Sequence, residues 1–434
     1  MPHPLATSSK AAAIFRVVSG NFLEMYDFMV YGFYADAIAH TFFPSGSQFV
    51  SLMLSLATFG AGFLMRPVGA IVLGAYIDRH GRRKGLLLTL GLMSIGIVLI
   101  ACMPGYATLH ALAPLLVLAG RLLQGFAAGA ELGGVSVYLA EIATPGRRGF
   151  YVSWQSASQQ VAVVFAGVIG VALNYHFGQS GMDAWAWRIP FLIGCLIVPA
   201  LFLIRRSLEE SPEFAMRRHR PSIDEITRSI IAHLGLILAG MGMVIMTTVS
   251  FYLITAYTPT YGRNALKLSD LDSLLVTCCI GLSNFIWLPV MGALSDRLGR
   301  RPLMLAATVA AIVSAWPALH WLTLAPSFWR LLAVGEWLSL IYGVYNGAMV
   351  VALTELMPIE VRTTGFSLAY SLATATMGGF TPLACNWLIH VTHSDAAPGL
   401  WLTLAALIGL VATLVIYRQQ RGPENAVAAI GSTQ

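Results

Sequence analysis

Charge is what this sequence has least of. Of its 434 residues only 11% are Asp, Glu, Lys or Arg, and 57% are hydrophobic, whereas a soluble domain carries about 25% charged residues. So little polar material cannot clothe a soluble surface of this size, which excludes an ordinary soluble enzyme and points to a polytopic membrane protein. Cysteine is also scarce. Cys102, Cys195, Cys278, Cys279 and Cys385 lie in or at the ends of apolar stretches. Without paired spacing they promise neither a zinc site nor a redox motif and read as small core hydrophobes. No Gly-rich loop ends in GK[ST], which argues against ATP-driven transport. No zinc-protease motif occurs, and no extramembrane stretch is large enough for a catalytic domain. An enzyme, a metal and a cofactor are therefore not expected. The formal charge of +6 could suggest nucleic acid, but the Lys and Arg sit between apolar runs instead of in one patch, as membrane orientation requires.

Long apolar runs are abundant. A span needs about 20 mostly apolar residues, and the sequence offers 14–38, 50–77, 86–104, 112–140, 150–174, 188–206, 230–258, 271–295, 302–323, 329–357, 363–390 and 397–418. The first of these holds Glu24 and Asp27, which a signal-peptide core would not, so it is expected to be a retained span. The expected architecture is all-α: twelve transmembrane helices in two six-helix bundles, residues 1–206 and 230–434, joined by the polar linker 207–229 and ending in a short tail. With both termini inside, cytoplasmic segments hold 20 of the 26 Lys and Arg, and outer segments hold only Arg188, Arg263, Lys267 and Arg330. Positive residues stay inside, so both termini are expected to be cytoplasmic.

The two halves repeat. GAYIDRHGRR at 74–83 returns as GALSDRLGRR at 292–301, and Glu141 with Arg148 returns as Glu355 with Arg362. The offsets, 218 and 214 residues, nearly agree, as in a duplicated unit. Secondary transporters are commonly built from such repeats, with the substrate site at mid-membrane between them. The G-x-x-x-D-R-x-G-R-R element resembles the signature loop of the major facilitator superfamily, and GRLLQGFAAG at 120–129 resembles its fourth-helix motif. GNFLEMYDFMVYGFYA, FLMRPVGAIVLGAYIDRHGRRKG and GGVSVYLAEIATPGRRGFYVSWQSASQQ are similar to the metabolite–proton symporter family, and within it to bacterial citrate–proton and tricarballylate–proton symporters. The resemblance runs from about residue 14 to about 418. It implies a pseudo-symmetric major facilitator fold in the bacterial inner membrane. The implied activity is proton-coupled uptake of a tricarboxylate by alternating access, in a protein functional as a monomer. Alternatives remain open: a dicarboxylate or betaine-like osmolyte as cargo, or a carboxylate sensor without net flux.

The signature loops supply a candidate cytoplasmic latch: Gly74, Asp78, Arg79, Gly81 and Arg82, and their counterparts Asp296, Arg297, Gly299 and Arg300. Gly81 and Gly299 permit a sharp reversal between helices. Asp78 ends a helix whose own dipole disfavours it, so it calls for a basic side chain or another helix's N-terminus. The resemblance implies that the opposite bundle provides this partner in the outward-open state; a solvated turn obeying the charge rule is the alternative.

Burying a charge at mid-bilayer costs at least ~2.5 kcal/mol, so charges inside spans are functional candidates. Glu24, Asp27, Arg66, Arg121, Glu131 and Glu336 fall there. Asn21, Glu24, Tyr31 and Tyr34, with Asp27 among them, have the spacing of one helix face, which lipid would not solvate. At a rise of ~1.5 Å per residue, Asp27 lies roughly 20 Å in from the inner side and Arg121 roughly 16 Å, one layer to within a turn. Asp27, with Glu24 close by, is the expected proton site and Arg121 its switching partner, since a carboxylate keeps its charge beside an arginine and favours its protonated form when buried without one. The alternative is a permanent structural pair. Glu131 reads as a second proton site or a packing partner, and Arg66, in MRPVG, as a packing residue. Arg121 can also hold a substrate carboxylate bidentately. The expected substrate wall adds Tyr31, Gln155, Ser158, Gln159, Tyr252, Tyr257, Asn284, Tyr345 and Asn346, any of which could instead be interhelical glue. Protonating Glu24 and Asp27 would ease the repulsion of a trianion, so a mildly acidic exterior is expected to favour uptake.

Overall fold

The computed structural model describes residues 14–15, 18, 21–80, 82–129, 132–206, 228, 230–358 and 362–431. Among them no strand occurs. Helix is the form that closes every backbone hydrogen bond within its own segment, as a hydrocarbon surround demands. The first half contains α1 (Asn21–Phe33), α2 (Ala35–Phe42), α3 (Gln48–Leu64), α4 (Arg66–His80), α5 (Arg82–Cys102), α6 (Tyr106–Leu109), α7 (Leu112–Ala128), α8 (Leu132–Ile142), α9 (Arg148–Ala184) and α10 (Ile189–Arg206). The second contains α11 (Leu234–Ile254), α12 (Thr258–Asn264), α13 (Asp270–Leu298), α14 (Arg300–Leu324), α15 (Phe328–Leu356), α16 (Arg362–Ala373), α17 (Thr381–Thr392) and α18 (Pro398–Gly431).

Nine described stretches are long and apolar enough to cross a membrane, and Leu87–Cys102 is a shorter apolar helix. Several expected spans are interrupted. The run 14–38 breaks at Tyr34. The run 50–77 breaks at Met65, just before Arg66–Pro67, because proline lacks an N–H and clashes with the preceding turn. The run 230–258 stops at Ile254, and Pro259 opens the separate α12. In the run 363–390 a π-helical turn, Thr374–Gly378, precedes a restart at Thr381–Pro382. There the Gly379 N–H donates to the Thr374 carbonyl at 2.8 Å. The expected span 150–174 instead runs on to Ala184, bending at Gly178, where φ is 65°.

Two close crossings position the site. A Cβ on Gly125 of α7 would run into the Gly62 carbonyl of α3, and one on Gly69 of α4 into the Phe126 carbonyl of α7. These contacts draw α3, α4 and α7 together without intervening side chains. The halves meet most extensively where α9 packs along α13, with Gly149 and Gly292 backbone to backbone. By contrast Gly74, at the start of the first signature loop, has open space where a side chain would stand.

Candidate functional site

Glu24 and Asp27 lie three residues apart on α1, so they share a face, and each meets an arginine from a different helix. Arg66 Nη2, at the start of α4, donates to Glu24 Oε1 at 2.8 Å. Arg121 Nη1, in α7, donates to Asp27 Oδ2 at 3.0 Å and to Gln124 Oε1 at 2.8 Å. All four charged groups are buried, none more than 2% exposed. Phe28, the residue after Asp27, has the Arg66 guanidinium 4.8 Å and the Arg121 guanidinium 4.4 Å from its ring centroid. Phe63 adds a second face to Arg66, and Tyr31 and Phe59 flank Arg121. Aromatic faces stabilise desolvated cations by cation–π attraction, so this shell offsets part of the cost of burying both guanidiniums.

The pairs differ in what they border. Arg66 lines a cavity between the halves; Gln159 joins it from α9, and Thr248, Tyr252, Tyr370 and Thr374 face it from the second half. The cavity has room for about one water. Arg121 is not on that wall. Its Nε and Nη2, like Arg66 Nε, have no hydrogen-bond partner among the described residues.

The remaining expected substrate residues are dispersed. Tyr31 donates to the Ser55 carbonyl at 3.3 Å beneath Arg121. Gln155 Oε1 accepts from Ser156, and Ser158 donates to the Gln155 carbonyl. Tyr257 lies beyond the end of α11, stacked on Tyr261, because the helix stops before Pro259. Asn284 bridges Gln160 and Ser339. Tyr345 donates to the Met243 carbonyl at 2.8 Å, and Asn346 links Thr247 and Tyr342. Of the wall expected from sequence, Gln159 and Tyr252 border the cavity. Arg66, read from sequence as a packing residue, does too. The signal that could have found it is its charge at a depth where charge is costly. Glu131 lies outside the described residues.

Polar contacts join the halves at both ends. At the Arg-rich end Asp296 of α13 accepts from the Gly149 and Phe150 backbone N–H groups at 2.8 and 3.0 Å, capping the N-terminus of α9, where a carboxylate is electrostatically favoured. Arg300 holds Asp296 at 2.8 Å and Glu355 at 3.2 Å. Gly299 makes the reversal with φ 89°, and Arg297 is exposed. Gly81 lies outside the described residues, as do the side chains of Asp78, Arg79 and Arg82. At the opposite end Arg263 grips Asp183 with both Nη atoms, at 3.0 and 2.9 Å, and reaches Asp270 at 3.3 Å. Asn264 donates to Asp36 at 2.9 Å. Burial opposes the Arg263 charge, but the Asp183 hydrogen bonds and the two carboxylates outweigh it and hold the guanidinium above its ordinary pKa.

Paired halves bridged at both ends around a small polar cavity are the build of an alternating-access carrier. Residues 17–382 match the Major Facilitator Superfamily, and the chain belongs to that family. Its fold aligns with the crystal structure of a D-xylose–proton symporter at a TM-score of 0.73, covering 94% of this chain and 97% of that one with 19% identity. In sequence it is similar to the citrate–proton symporter of Klebsiella pneumoniae, 60% identical over 95% of this chain and 93% of the relative. It is also similar to that of Salmonella typhi, 58% identical over 97% and 98%.

Proposed function

We propose that the protein carries citrate or a closely related tricarboxylate into the bacterial cell together with protons, across the inner membrane. The observation that carries this reading is a buried arginine, Arg66, on the wall of a cavity shared by both halves, beside a second buried Arg–carboxylate pair. A fixed cation there suits an anionic cargo and would repel the cationic head of an osmolyte. Relatives 58–60% identical that bear the name citrate–proton symporter support the choice of substrate.

In this reading the chain crosses the membrane twelve times with both termini cytoplasmic. Residues 1–206 and 230–434 form two bundles joined by 207–229, acting as a monomer in the bilayer with no catalytic step and no cofactor. Asp27 is the proton site and Arg121 its partner, with Glu131 a second site. When the halves rock, the Asp27–Arg121 distance changes, and the carboxylate gives up or takes up its proton. The Asp296 contact to α9 latches the cytoplasmic side, with the 74–82 loop as its counterpart, and the Arg263 cluster latches the outer side.

The test is uptake of labelled citrate by proteoliposomes under an inward proton gradient. Accumulation above the equilibrium level that a protonophore abolishes is expected. Binding without flux, or proton-driven uptake of betaine in place of citrate, would overturn the reading.

A further inference from the structure

We infer that Glu24 is an internal stand-in for the substrate: it occupies Arg66 in the empty carrier, and a substrate carboxylate takes that place as Glu24 binds a proton. The inference rests on the tricarboxylate–proton symport reading and adds to it the group that anchors the cargo.

Three observations carry it. Arg66, not Arg121, borders the cavity. Arg121 is enclosed by Phe28, Tyr31 and Phe59 and shares its Nη1 between Asp27 and Gln124. Second, Arg66 engages Glu24 through a single Nη while its Nε has no hydrogen-bond partner among the described residues; a guanidinium is built to take a carboxylate with two parallel N–H groups. Third, the wall around Arg66 carries the Gln159 amide and the hydroxyls of Thr248, Tyr252, Tyr370 and Thr374, neutral groups able to hydrogen-bond the remaining carboxylates and a hydroxyl.

The proton follows from the exchange. The described groups around Glu24 include Arg66 from α4, Tyr252 from α11, Tyr370 from α16 and Asp27 one turn along α1; α9 contributes the neutral Gln159 to the same cavity. Arg121 is already committed to Asp27. Once the substrate takes Arg66, Glu24 loses that counter-ion in a dry interior, where the ionised form is costlier than the neutral acid. Before exchange there are a Glu24 carboxylate, the Arg66 cation, a substrate carboxylate and a proton from outside. Afterwards there are neutral Glu24 and an Arg66–substrate pair. The sum of charges is zero in both, so each substrate molecule brings a proton with it.

The test is calorimetry of citrate binding to purified protein in buffers of different ionisation enthalpy, which counts protons taken up per citrate bound. Wild type and Glu24→Gln are compared; citrate's own titration is common to both and cancels. Glu24→Gln is expected to bind citrate at least as tightly while taking up one proton fewer. An unchanged proton count overturns the inference. Should Glu24→Gln fail to fold, the neutral pair Glu24→Gln/Arg66→Gln leaves no unpaired buried charge. It is expected to lose citrate binding by at least about 100-fold, and wild-type affinity in it overturns the inference. Absence of citrate binding by wild type would instead strike the proposed function itself.

Discussion

Asp27 and Arg121 stand 94 residues apart in the chain and meet at 3.0 Å, both buried. Asp27→Asn removes the titrating group and leaves Arg121 uncompensated, a change that costs about 3–5 kcal/mol when a buried pair loses one partner. Citrate-gradient exchange in proteoliposomes is expected to persist in this variant while proton-driven accumulation falls to equilibrium; full accumulation would remove Asp27 from the coupling. This pairing was legible in advance because counting residues from the span ends places both side chains in one layer. The partnership of Glu24 with Arg66 was not. Pro67 and Gly69 make the neighbourhood of Arg66 look like a packing motif, and only the close crossing of α4 with α7 reveals where the guanidinium goes. The aromatic shell of Phe28, Phe59 and Phe63 was equally hidden, since phenylalanine in an apolar span is unremarkable. For Asn284, Tyr345 and Asn346 the sequence shows polar groups inside apolar spans but not the neighbouring groups that take up their hydrogen bonds.

At the scale of elements, the breaks near Pro67, Pro259 and Pro382 each have a proline beside them, but Pro199, Pro289 and Pro317 stand inside continuous helices, so proline alone did not say where a span would break. The break at Tyr34 carries no such mark. The α3–α7 crossing yields a stability prediction. Gly125→Val would force the Gly62 backbone away and is expected to destabilise the purified protein by about 1–3 kcal/mol, seen as a lower melting temperature; an unchanged one would mean that the helices separate freely. The clamp between α9, α12 and α13 yields a conformational one. Arg263→Gln removes the grip on Asp183 and Asp270, so the outer side should open more often. A cysteine at Thr260, buried on the wall of the small cavity under the clamp, should then react severalfold faster with a membrane-impermeant thiol reagent than in the otherwise wild-type background. Equal rates would show that Arg263 holds nothing shut.

On the whole-molecule scale, the repeat of the Asp-Arg loops at 78 and 296 announced two related halves. What it could not convey is that contacts join them at both ends, because that depends on side-chain geometry at helix termini 147 residues apart, such as Asp296 against Gly149. If buried carboxylates bind protons for cargo to enter, as proposed, uptake should rise as the exterior is made mildly acidic and fall as it is made alkaline. A steady rise with alkaline external pH would contradict the account.

The most direct measurement uses proteoliposomes loaded with a pH-sensitive dye, with no proton gradient imposed, to which citrate is added outside. Citrate moving inward should carry protons with it, acidifying the lumen in the wild type but not in protein-free liposomes. Citrate entry at an unchanged lumenal pH would contradict the claim that a buried carboxylate must be protonated for each cargo molecule to bind.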